Sequence, residues 1–366
     1  MSYLDRLNES LAAIRARGRY RSLRSHQLEN AIDFSSNDYL ALATDARVAL
    51  ALKQRQRVGS GGARLLGGRH REHSMLEEEL ASWLGRERAL LFSSGYHAAL
   101  GAVTVLASAV HRIYSDELNH ASLIDGMRLA RAPRSIYPHA ALPPKDEREH
   151  PALIVTESIF SMDGDAVDLH ALLADLHDDD VLLVDEAHAL GVVGPEGAGL
   201  AYGLDDPRVV VLGTLSKSLG AHGGFIAGPA VVIEALVNMA RTFIFDTALP
   251  PAIALAARVA IKIARVEEDR RERLHASVRH LRAGLDALGI ATITDPSPVV
   301  PVVLGSEERA VRVAEELAAL RLIAPAIRPP TVPVGSSRLR LSLRADLSTD
   351  HVDLLVRSLQ RCLATS

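Results

Sequence analysis

The sequence predicts an α/β fold in which a mainly parallel sheet is covered by helices on both faces, with a smaller α+β C-terminal domain. Between residues 44 and 260, short apolar runs alternate with segments of helical spacing. This alternation is typical of buried parallel strands and the helices that cover them. A long helical pattern follows Pro250 and Pro251, and strand and helix patterns mix in the remainder of the chain. With 366 residues, 48% of them hydrophobic, the chain can bury one large core and form a smaller satellite domain.

Three regions are predicted along the chain. Residues 1–43 form an N-terminal arm, in which residues 3–17 have an amphipathic helical pattern and AIDFSSNDYL reads as a short strand entering a turn. Residues 44–260 form the large domain, with strands at RALLFSS, HRIYSD, PALIVTES, VLLVDEAH, RVVVLGTLS and GGFIAG and helices at HSMLEEELASWLG, ASLIDGMRLA and LHALLADLH. Residues 261–366 form the small domain, with strands at VVPVVLG and RLRLSLRA, a helix at EERAVRVAEELAAL and a closing helix.

Composition excludes several classes of protein. A formal net charge of -4 and a pI near 6.4 show no excess of positive charge that would bind nucleic acid or an anionic membrane. Any anionic partner is therefore expected to be a small molecule. The single cysteine, Cys362, excludes an intrachain disulfide framework and a CxxC metal site and suits a reducing cytoplasm. The N-terminal stretch mixes acidic and basic residues without an apolar core, so no signal peptide is expected. No window reaches the roughly 18 uncharged apolar residues that a membrane-spanning helix needs.

Lys217, in the stretch TLSKSLGAHGG, is the first candidate for chemistry. Only four lysines occur in the chain, and Lys53, Lys145 and Lys262 lie in polar helix ends, loops or charged helices. Lys217 instead follows the apolar run VVVLG, where a charged ammonium is costly unless it is paired or neutral. A neutral lysine can form a Schiff base. Alone, the pattern also fits a surface lysine in a glycine-rich turn.

The carboxylate of Asp185, in VLLVDEAHALG, is the second candidate. Side chains alternate along a strand, so Asp185 and Glu186 are expected to face opposite sides, and a buried carboxylate needs a partner. That partner is either a structural group, such as a helix N-terminus or a salt-bridge cation, or a protonated pyridine nitrogen. Because Lys217 follows some thirty residues later, the pair suggests pyridoxal phosphate, which uses a Schiff-base lysine and an acid at its ring nitrogen.

Other polar residues are expected at the same edge of the sheet, where ligands bind beyond the carboxyl ends of parallel strands. A helix should begin at Ser94 and Gly95, whose amides with those of Tyr96 could hold a phosphate together with Thr214 and Ser216. His120 could stack on an aromatic ring, or could be a solvated histidine at a helix start. The glycine-rich stretch GSGGARLLGG lacks the GK[ST] ending of a P-loop and the strand that precedes a dinucleotide fingerprint, so both nucleotide sites are rejected.

Motifs along nearly the whole chain resemble those of the α-oxoamine synthases, pyridoxal-phosphate enzymes of the fold type I aminotransferase superfamily. The segments that carry the resemblance, in order, are NDYLAL, GSGGARLLGG, SSGYHAA, DELNHASL, TESIFSMDGD, VDEAHALGVVG, TLSKSLGAHGG and AIRPPTVPVGSSRLRLSL. The last segment is most similar to that of the members that join L-alanine to a pimeloyl thioester in biotin synthesis. Two departures from the commoner pattern are Ala63 and the pair Ala189 and Leu190.

The resemblance assigns roles to individual residues. It implies that Lys217 binds the cofactor covalently, that Asp185 pairs with the ring nitrogen, and that His188 bonds the phenolic oxygen with Ser161 nearby. His120 would stack on one face of the ring and Ala187 would pack against the other. The cofactor phosphate would be held by Gly95, Tyr96 and Thr214. The substrate-binding residues it implies are Arg21 and Thr331 for the acyl thioester, Asn37 and Arg340 for the amino-acid carboxylate, and His120.

The reaction implied is the decarboxylative condensation of L-alanine with pimeloyl-CoA or pimeloyl-ACP by a cytoplasmic homodimer. Catalysis would rest on Lys217, His120, Asp185 and His188, without a metal. Two alternatives remain. One is a sibling synthase that uses glycine or serine with another acyl-CoA. The other is a non-catalytic ligand-binding α/β protein, which would not link an aldehyde to its lysine.

Overall fold

The described residues form a central seven-stranded sheet. A computed structural model describes residues 1–21, 30–54 and 57–364. The strands of the sheet are β2 (Arg88–Phe92), β3 (Arg112–Asp116), β4 (Arg134–Tyr137), β5 (Ala152–Glu157), β6 (Val181–Asp185), β7 (Val209–Thr214) and β8 (Gly224–Gly228). Their order is β2-β8-β7-β6-β5-β3-β4. The strands from β7 to β4 pair in parallel, and β8 runs antiparallel to both of its neighbours.

Two separate cores cover the two faces of this sheet. Along β5, Leu153 and Val155 pack in one core and Ile154 in the other, and β6 and β7 alternate in the same way. A strand that is buried on both faces has a continuous apolar sequence, which explains why six strands could be predicted from the sequence. The strand β4 was not predicted, because its sequence RSIY is half polar and it lies exposed at the sheet edge.

Helices cover the sheet, and a further helix lies within the N-terminal arm. They are α1 (Tyr3–Ala16), α2 (Ala46–Leu52), α3 (Arg71–Trp83), α4 (Gly95–Leu106), α5 (Ala121–Leu129), α6 (Leu169–Ala174), α7 (Ala230–Met239) and α8 (Arg241–Ile244). The helix α4 is apolar on most of its surface and is buried accordingly. The helix α1 is amphipathic, as predicted, but none of its residues is buried. The described residues include no helix long and apolar enough to cross a membrane.

The C-terminal part combines four helices with small sheets. Its helices are α9 (Pro251–Val266), α10 (Glu268–Ala287), α11 (Glu307–Ala319) and α12 (Thr349–Ala364). Its strands are β9 (Val299–Gly305), β10 (Leu322–Ile323), β11 (Ala326–Ile327) and β12 (Ser337–Ser342), of which β11, β12 and β9 form an antiparallel sheet. The long helical pattern after Pro251 is broken at Glu267, which has non-helical dihedral angles and pairs with Arg47 and Arg270. No glycine or proline marks this break.

The fold class predicted from the sequence is confirmed by this arrangement. The predicted domain boundaries after residues 43 and 260 stay predictions. The arm contributes a short strand, β1 (Ile32–Asp33), which pairs in parallel with β10. Beyond it, the carbonyls of Phe34 and Tyr39 accept hydrogen bonds from the amides of Ser342 and Ala345. These bonds fix residues 34–39 against the end of β12.

A half-buried imidazole stabilises the loop between β5 and α6. His139 Nδ1 lies 3.0 Å from Asp116 Oδ2, and its Nε2 lies 2.6 Å from Asp165 Oδ2. The ring also packs edge-on against Phe160, with centroids 4.5 Å apart. The hydrogen bonds to Asp116 and Asp165 raise the pKa of His139 from 6.5 to about 10. His139 therefore joins the end of β3 to the loop that carries Ser161.

We expect His139→Gln to lower the free energy of unfolding at pH 7 by about 2 kcal/mol, because two carboxylates lose their shared cation. Since the folded-state pKa of His139 is raised, its contribution is complete below about pH 6.5 and is lost as the pH rises toward 10. Urea unfolding between pH 6 and pH 10 measures this. The wild-type protein should lose stability with pH more steeply than the variant, whereas His170→Gln, at an exposed position on α6, should follow the wild type. Parallel curves for the wild type and His139→Gln would contradict the expectation.

Candidate active site

The candidate site lies at the carboxyl ends of β5, β6 and β7. Glu157 and Asp185, the last residues of β5 and β6, are paired in register, so their side chains leave the sheet on the same face. The strand β7 ends at Thr214, and the turn that leads to β8 carries Lys217. The amine of Lys217 reaches back to His188, three residues beyond Asp185, with 2.8 Å between Nζ and Nε2. The structure thus brings together residues that the sequence suggested separately.

The amine of Lys217 is suited to nucleophilic and basic chemistry. Its removal from water lowers its pKa from 10.5 to about 8, although the carboxylates of Asp185 and Glu157 oppose that fall. A lysine with a pKa of about 8 is partly neutral near physiological pH, whereas an ordinary surface lysine is almost fully charged. This environment argues against the surface-lysine alternative.

The carboxylate of Asp185 is held in a defined orientation. Its Oδ1 accepts the amide of Ala187 at 2.9 Å, and within the described residues no hydrogen bond reaches its Oδ2. Glu186 faces the opposite side, as predicted, where it accepts hydrogen bonds from Ser158 and from the amides of Leu200 and Ala201. Glu186 is therefore a structural anchor of the loop that follows β6, and Asp185 is the carboxylate available to a ligand.

The start of α4 and the turn after β7 form a cradle for an anion. Ser94 caps α4, and the first-turn amides of Gly95 and Tyr96 have no acceptor within the helix. A Cβ atom on Gly95 would lie only 3.2 Å from the side chain of Thr214, so glycine favours this close approach. The Oγ1 of Thr214 lies 2.8 Å from Ser216 Oγ. The hydroxyl of Tyr96 donates to Asp125 on α5, so the group that Tyr96 offers to the cradle is its backbone amide.

A hydrogen-bonded chain extends from Lys217 to the far end of β12. His188 Nδ1 lies 2.6 Å from the hydroxyl of Tyr39, which lies 3.1 Å from Asn37 Oδ1. Arg340 donates to the same Asn37 oxygen at 3.0 Å and to the Tyr39 hydroxyl at 3.4 Å. Its Nε also donates to the carbonyl of Ser161 at 2.5 Å. Asn37 and Arg340, predicted to bind a carboxylate, are therefore neighbours.

Sequence reasoning missed Tyr39 and gave Glu157 no role. Tyr39 is fully buried, and its only signal in the sequence was its place in the NDYL motif. Glu157 is also buried, and its Oε1 has no hydrogen-bond partner among the described residues. Burial, together with the charge of Asp185, raises the pKa of Glu157 to about 8. The site therefore contains two adjacent carboxyl groups, of which one was recognised from the sequence.

A cavity of about 540 Å³ adjoins the site and is lined by His120, Ser161 and Thr331, among others. His120 caps α5, and its Nδ1 accepts the amide of Ser122 at 3.2 Å, which places the ring proton on Nε2. The two residues predicted to contact the acyl thioester lie in different places relative to this cavity. Thr331 lies on the cavity wall, whereas Arg21 is exposed, three residues after Gly18, whose carbonyl accepts from Arg328.

Comparison with known proteins places this arrangement in a family. The family model Aminotransferase class I and II matches residues 29–359. The 8-amino-7-oxononanoate synthase of Methylococcus capsulatus is 44% identical over 340 residues, which cover 90% of this chain and 88% of that protein. The chain belongs to the 8-amino-7-oxononanoate synthase family. The resemblance stated from the sequence is thereby confirmed.

Solved structures agree with this family. The 8-amino-7-oxononanoate synthase of Francisella tularensis is 28% identical, with a TM-score of 0.81 and coverage of 92% of this chain and 98% of that one. A lysine-to-alanine variant of the serine palmitoyltransferase of S. paucimobilis, solved with a bound PLP-myriocin aldimine, is 27% identical, with a TM-score of 0.89 and coverage of 100% of this chain and 99% of that one. Family membership confirms the predicted enzyme class and the predicted cofactor.

The residues present fit pyridoxal phosphate. Lys217 offers an amine that is neutral enough to join an aldehyde, and Asp185 offers a carboxylate oxygen to a ring nitrogen. The cradle at Gly95, Tyr96 and Thr214 offers amides and a hydroxyl to a phosphate. Ala187 lies between Asp185 and His188 and is small enough to pack against a ring. The roles of the individual residues remain predictions at this point.

Proposed function

We propose that this protein is a pyridoxal-phosphate-dependent acyltransferase that condenses L-alanine with a pimeloyl thioester. The products are 8-amino-7-oxononanoate, carbon dioxide and the free thiol of the acyl carrier, coenzyme A or acyl carrier protein. The observation that carries the proposal is a hydrogen-bonded chain of side chains that joins a reactive amine to a carboxylate-binding pair. The amine of Lys217 lies at one end and the carboxylate-binding pair Asn37 and Arg340 at the other.

The chemistry of the bound cofactor is that of an electron sink, which takes up the electron pair left when the amino acid loses a proton. Arg340 and Asn37 bind and orient the carboxylate of alanine, Arg340 with a charged hydrogen-bonding fork. Lys217 Nζ removes the proton from the α-carbon as general base. Asp185 would stabilise a proton on the ring nitrogen. His120 and Ala187 would pack against the ring, and the amides of Gly95 and Tyr96 would bind the phosphate.

The 540 Å³ cavity is suited to the acyl chain of the thioester, because it opens beside His120 and Ser161. Its wall includes Thr331 and the apolar side chains of Ile124, Phe160 and Val332, which suit a methylene chain. The departures Ala189 and Leu190 do not line it and are buried in the hydrophobic core that extends from the sheet into the C-terminal part. They therefore give no structural reason to expect a different acyl chain.

The test of the proposal is an assay of thiol and carbon dioxide release by the purified holoenzyme. Pimeloyl-CoA is supplied with L-alanine, glycine or L-serine as the varied substrate. Turnover with alanine supports the proposal. Turnover with glycine or serine instead would assign a sibling activity, and a colourless protein without turnover would assign a non-catalytic binding role.

The protein is proposed to act as a cytoplasmic homodimer. Apolar side chains of the segments that contain residues 57–68 and 242–249 are exposed, among them Leu66 and Phe245. The two segments are joined by a bridge between Ala63 and Thr247 and form one surface. A second copy of the chain would cover this surface. Sedimentation equilibrium of the holoenzyme tests this assembly, and a monomer at micromolar concentration would contradict it.

We expect Arg340→Lys to raise the KM for alanine by about 10- to 100-fold with a smaller change in kcat. A lysine keeps the charge of Arg340 but loses the two-pronged hydrogen bonding, which is worth about 1.5–3 kcal/mol for a charged partner. Steady-state kinetics with alanine varied at saturating pimeloyl-CoA measures the change. The control is Arg344→Lys, because Arg344 bonds Asp346 beyond the end of β12. An unchanged KM in Arg340→Lys would exclude Arg340 as the carboxylate ligand.

A further inference from the structure

Glu157 is a buried carboxyl group beside the candidate site that the proposed reaction leaves unused. It is the last residue of β5 and is paired in register with Asp185, so the two carboxyl groups leave neighbouring strands on the same face of the sheet. Glu157 is 2% exposed, and its Oε1 has no hydrogen-bond partner among the described residues. A buried polar atom without a partner is costly, so its presence at the edge of a ligand site indicates a functional role.

Glu157 and Asp185 cannot both carry a negative charge at low cost. Burial raises the pKa of both groups, and the charge of Asp185 raises that of Glu157 further, to about 8. A protonated ring nitrogen beside Asp185 would favour the charged form of Asp185. Glu157 has no such partner, so it is the member of the pair that keeps a proton at pH 7. Its Oε1, which no donor in the described part of the chain reaches, is the oxygen that can carry this proton.

The other charged groups near Glu157 do not change this assignment. Lys217 favours the charged form of Glu157, but burial and the charge of Asp185 outweigh it. His120 is neutral at pH 7, because burial lowers its pKa. On the neighbouring strand β3, the carboxylate of Asp116 is paired with His139.

The carboxyl group of Glu157 binds the backbone amides of two residues from separate segments. The amides of His120, at the start of α5, and of Ser161, in the loop after β5, hydrogen-bond to it. Both residues line the 540 Å³ cavity, and both are predicted to contact the cofactor ring. These contacts do not involve Lys217, so they do not depend on whether its amine is free or joined to the cofactor.

We propose that Glu157 is a positioning residue that, as an uncharged carboxylic acid, holds the amides of His120 and Ser161 and so fixes the two side chains beside the cofactor ring. The inference rests on the proposed function, because it takes the ring to lie against His120. The two carboxyl groups of the site thereby have different roles. Asp185 acts through its charge, whereas Glu157 acts through its length and its hydrogen-bonding oxygen.

Glu157→Gln and Glu157→Asp separate length from charge. Glutamine keeps the length and an acceptor oxygen but cannot ionise, whereas aspartate can ionise but is one methylene too short to reach both amides. In the Glu157→Gln holoenzyme, kcat/KM for alanine at saturating pimeloyl-CoA should stay within about threefold of the wild type. In Glu157→Asp it should fall by about 10-fold or more, because buried amides lose their acceptor and the segments they fix can shift.

The visible circular dichroism of the bound cofactor reports the same difference without turnover. The ring itself is achiral, so it gives this signal only while the protein holds it in a fixed asymmetric orientation. Glu157→Gln should keep the wild-type signal at saturating pyridoxal phosphate, and Glu157→Asp should lose more than half of it. Glu157→Met, which keeps the length without the acceptor, should show the same loss and replaces Glu157→Asp if that variant folds poorly.

Thermal unfolding of the holoenzyme tests the charge of Glu157 directly. Because the folded-state pKa is raised from 4.5 to about 8, the contribution of this group to stability is complete below about pH 4.5 and is lost as the pH rises to 8. Glutamine has no such dependence. The Tm of the wild type should therefore fall more between pH 5 and pH 8 than the Tm of Glu157→Gln.

The matched control is Glu186→Gln, at a second buried glutamate that faces the opposite side of the sheet. Glu186 accepts hydrogen bonds from Ser158 and from the amides of Leu200 and Ala201. A glutamine there loses one acceptor oxygen, so the Tm should fall. Because these contacts lie outside the site, kcat/KM and the dichroism should be kept.

The outcomes separate the inference from the proposed function. Loss of kcat/KM and dichroism in Glu157→Gln would show that Glu157 acts through its charge, and it would overturn the inference. Wild-type values in Glu157→Asp, or parallel Tm curves for the wild type and Glu157→Gln, would overturn it as well. Failure of the proposed function would appear independently, as an absence of turnover of alanine and pimeloyl-CoA by the wild type, because the dichroism and the Tm require no turnover.

Discussion

Replacing Lys217 with alanine should lower the turnover of alanine and pimeloyl-CoA by about 10⁴-fold or more, because one amine both attaches the cofactor and acts as general base. Binding of pyridoxal phosphate should be weakened but retained. The cradle at Gly95 and Thr214 and the carboxylate of Asp185 are not altered by the substitution. The loss should therefore appear in kcat at saturating cofactor.

Two measurements check the Lys217→Ala variant. Thiol release gives the turnover, and mass spectrometry after borohydride reduction shows whether the cofactor is joined covalently to the protein. The wild type should gain the mass of the cofactor and Lys217→Ala should not. Lys262→Ala is the matched control, since Lys262 is exposed on α9. Normal turnover by Lys217→Ala, or covalent labelling of it, would refute the assignment.

The scarcity of lysine made this residue recognisable from the sequence. Four lysines occur in the chain, and only Lys217 follows a strand that is buried on both faces. The parallel strands could also be predicted, because β5, β6 and β7 are apolar at nearly every position. The ends of these strands then located the site, since residues at the carboxyl ends of neighbouring parallel strands meet at one edge.

The rest of the site depends on contacts that no local pattern encodes. Arg340 and Asn37 are 303 positions apart, and they meet because β1 and the end of β12 hold the arm against the C-terminal part. Tyr39 reads as an apolar residue in the sequence, and its role depends on His188, 149 positions away. The break at Glu267 likewise depends on Arg47, which lies in α2. Periodicity detects burial and local structure, whereas these partners are set by the tertiary fold.

Asp185→Asn should lower kcat by about 10³-fold while leaving the protein at least as stable as the wild type. At about 4 Å and an effective dielectric constant of about 20, a carboxylate and a protonated ring nitrogen attract by about 4 kcal/mol, equivalent to about three pKa units. Asparagine can still accept the amide of Ala187 through its Oδ1, but it cannot keep the ring nitrogen protonated. The bound cofactor then withdraws electrons less effectively, and proton removal by Lys217 slows.

The stability of Asp185→Asn follows from the burial of the carboxylate. Burial raises the pKa of Asp185, and Lys217 opposes the rise only in part. A carboxyl group with a raised folded-state pKa contributes fully to stability only below its unfolded pKa of 3.8, and that contribution is lost as the pH rises. At pH 7 the wild type therefore carries the cost of a buried charge that serves catalysis, and the neutral amide removes it. Thermal unfolding of the two proteins without cofactor measures the difference.

Asp180→Asn is the control that separates the two effects. Asp180 precedes the same strand, β6, at its opposite end, and its two oxygens accept the amides of Ala152 and His177 at 2.8 and 2.9 Å. An asparagine there can satisfy only one of these donors, so the Tm should fall while kcat is kept. The opposite behaviour at position 185, lost kcat with an equal or higher Tm, would identify Asp185 as a residue retained for chemistry. A large fall in Tm with unchanged kcat at position 185 would instead make Asp185 a structural carboxylate, and the ring nitrogen would need another partner.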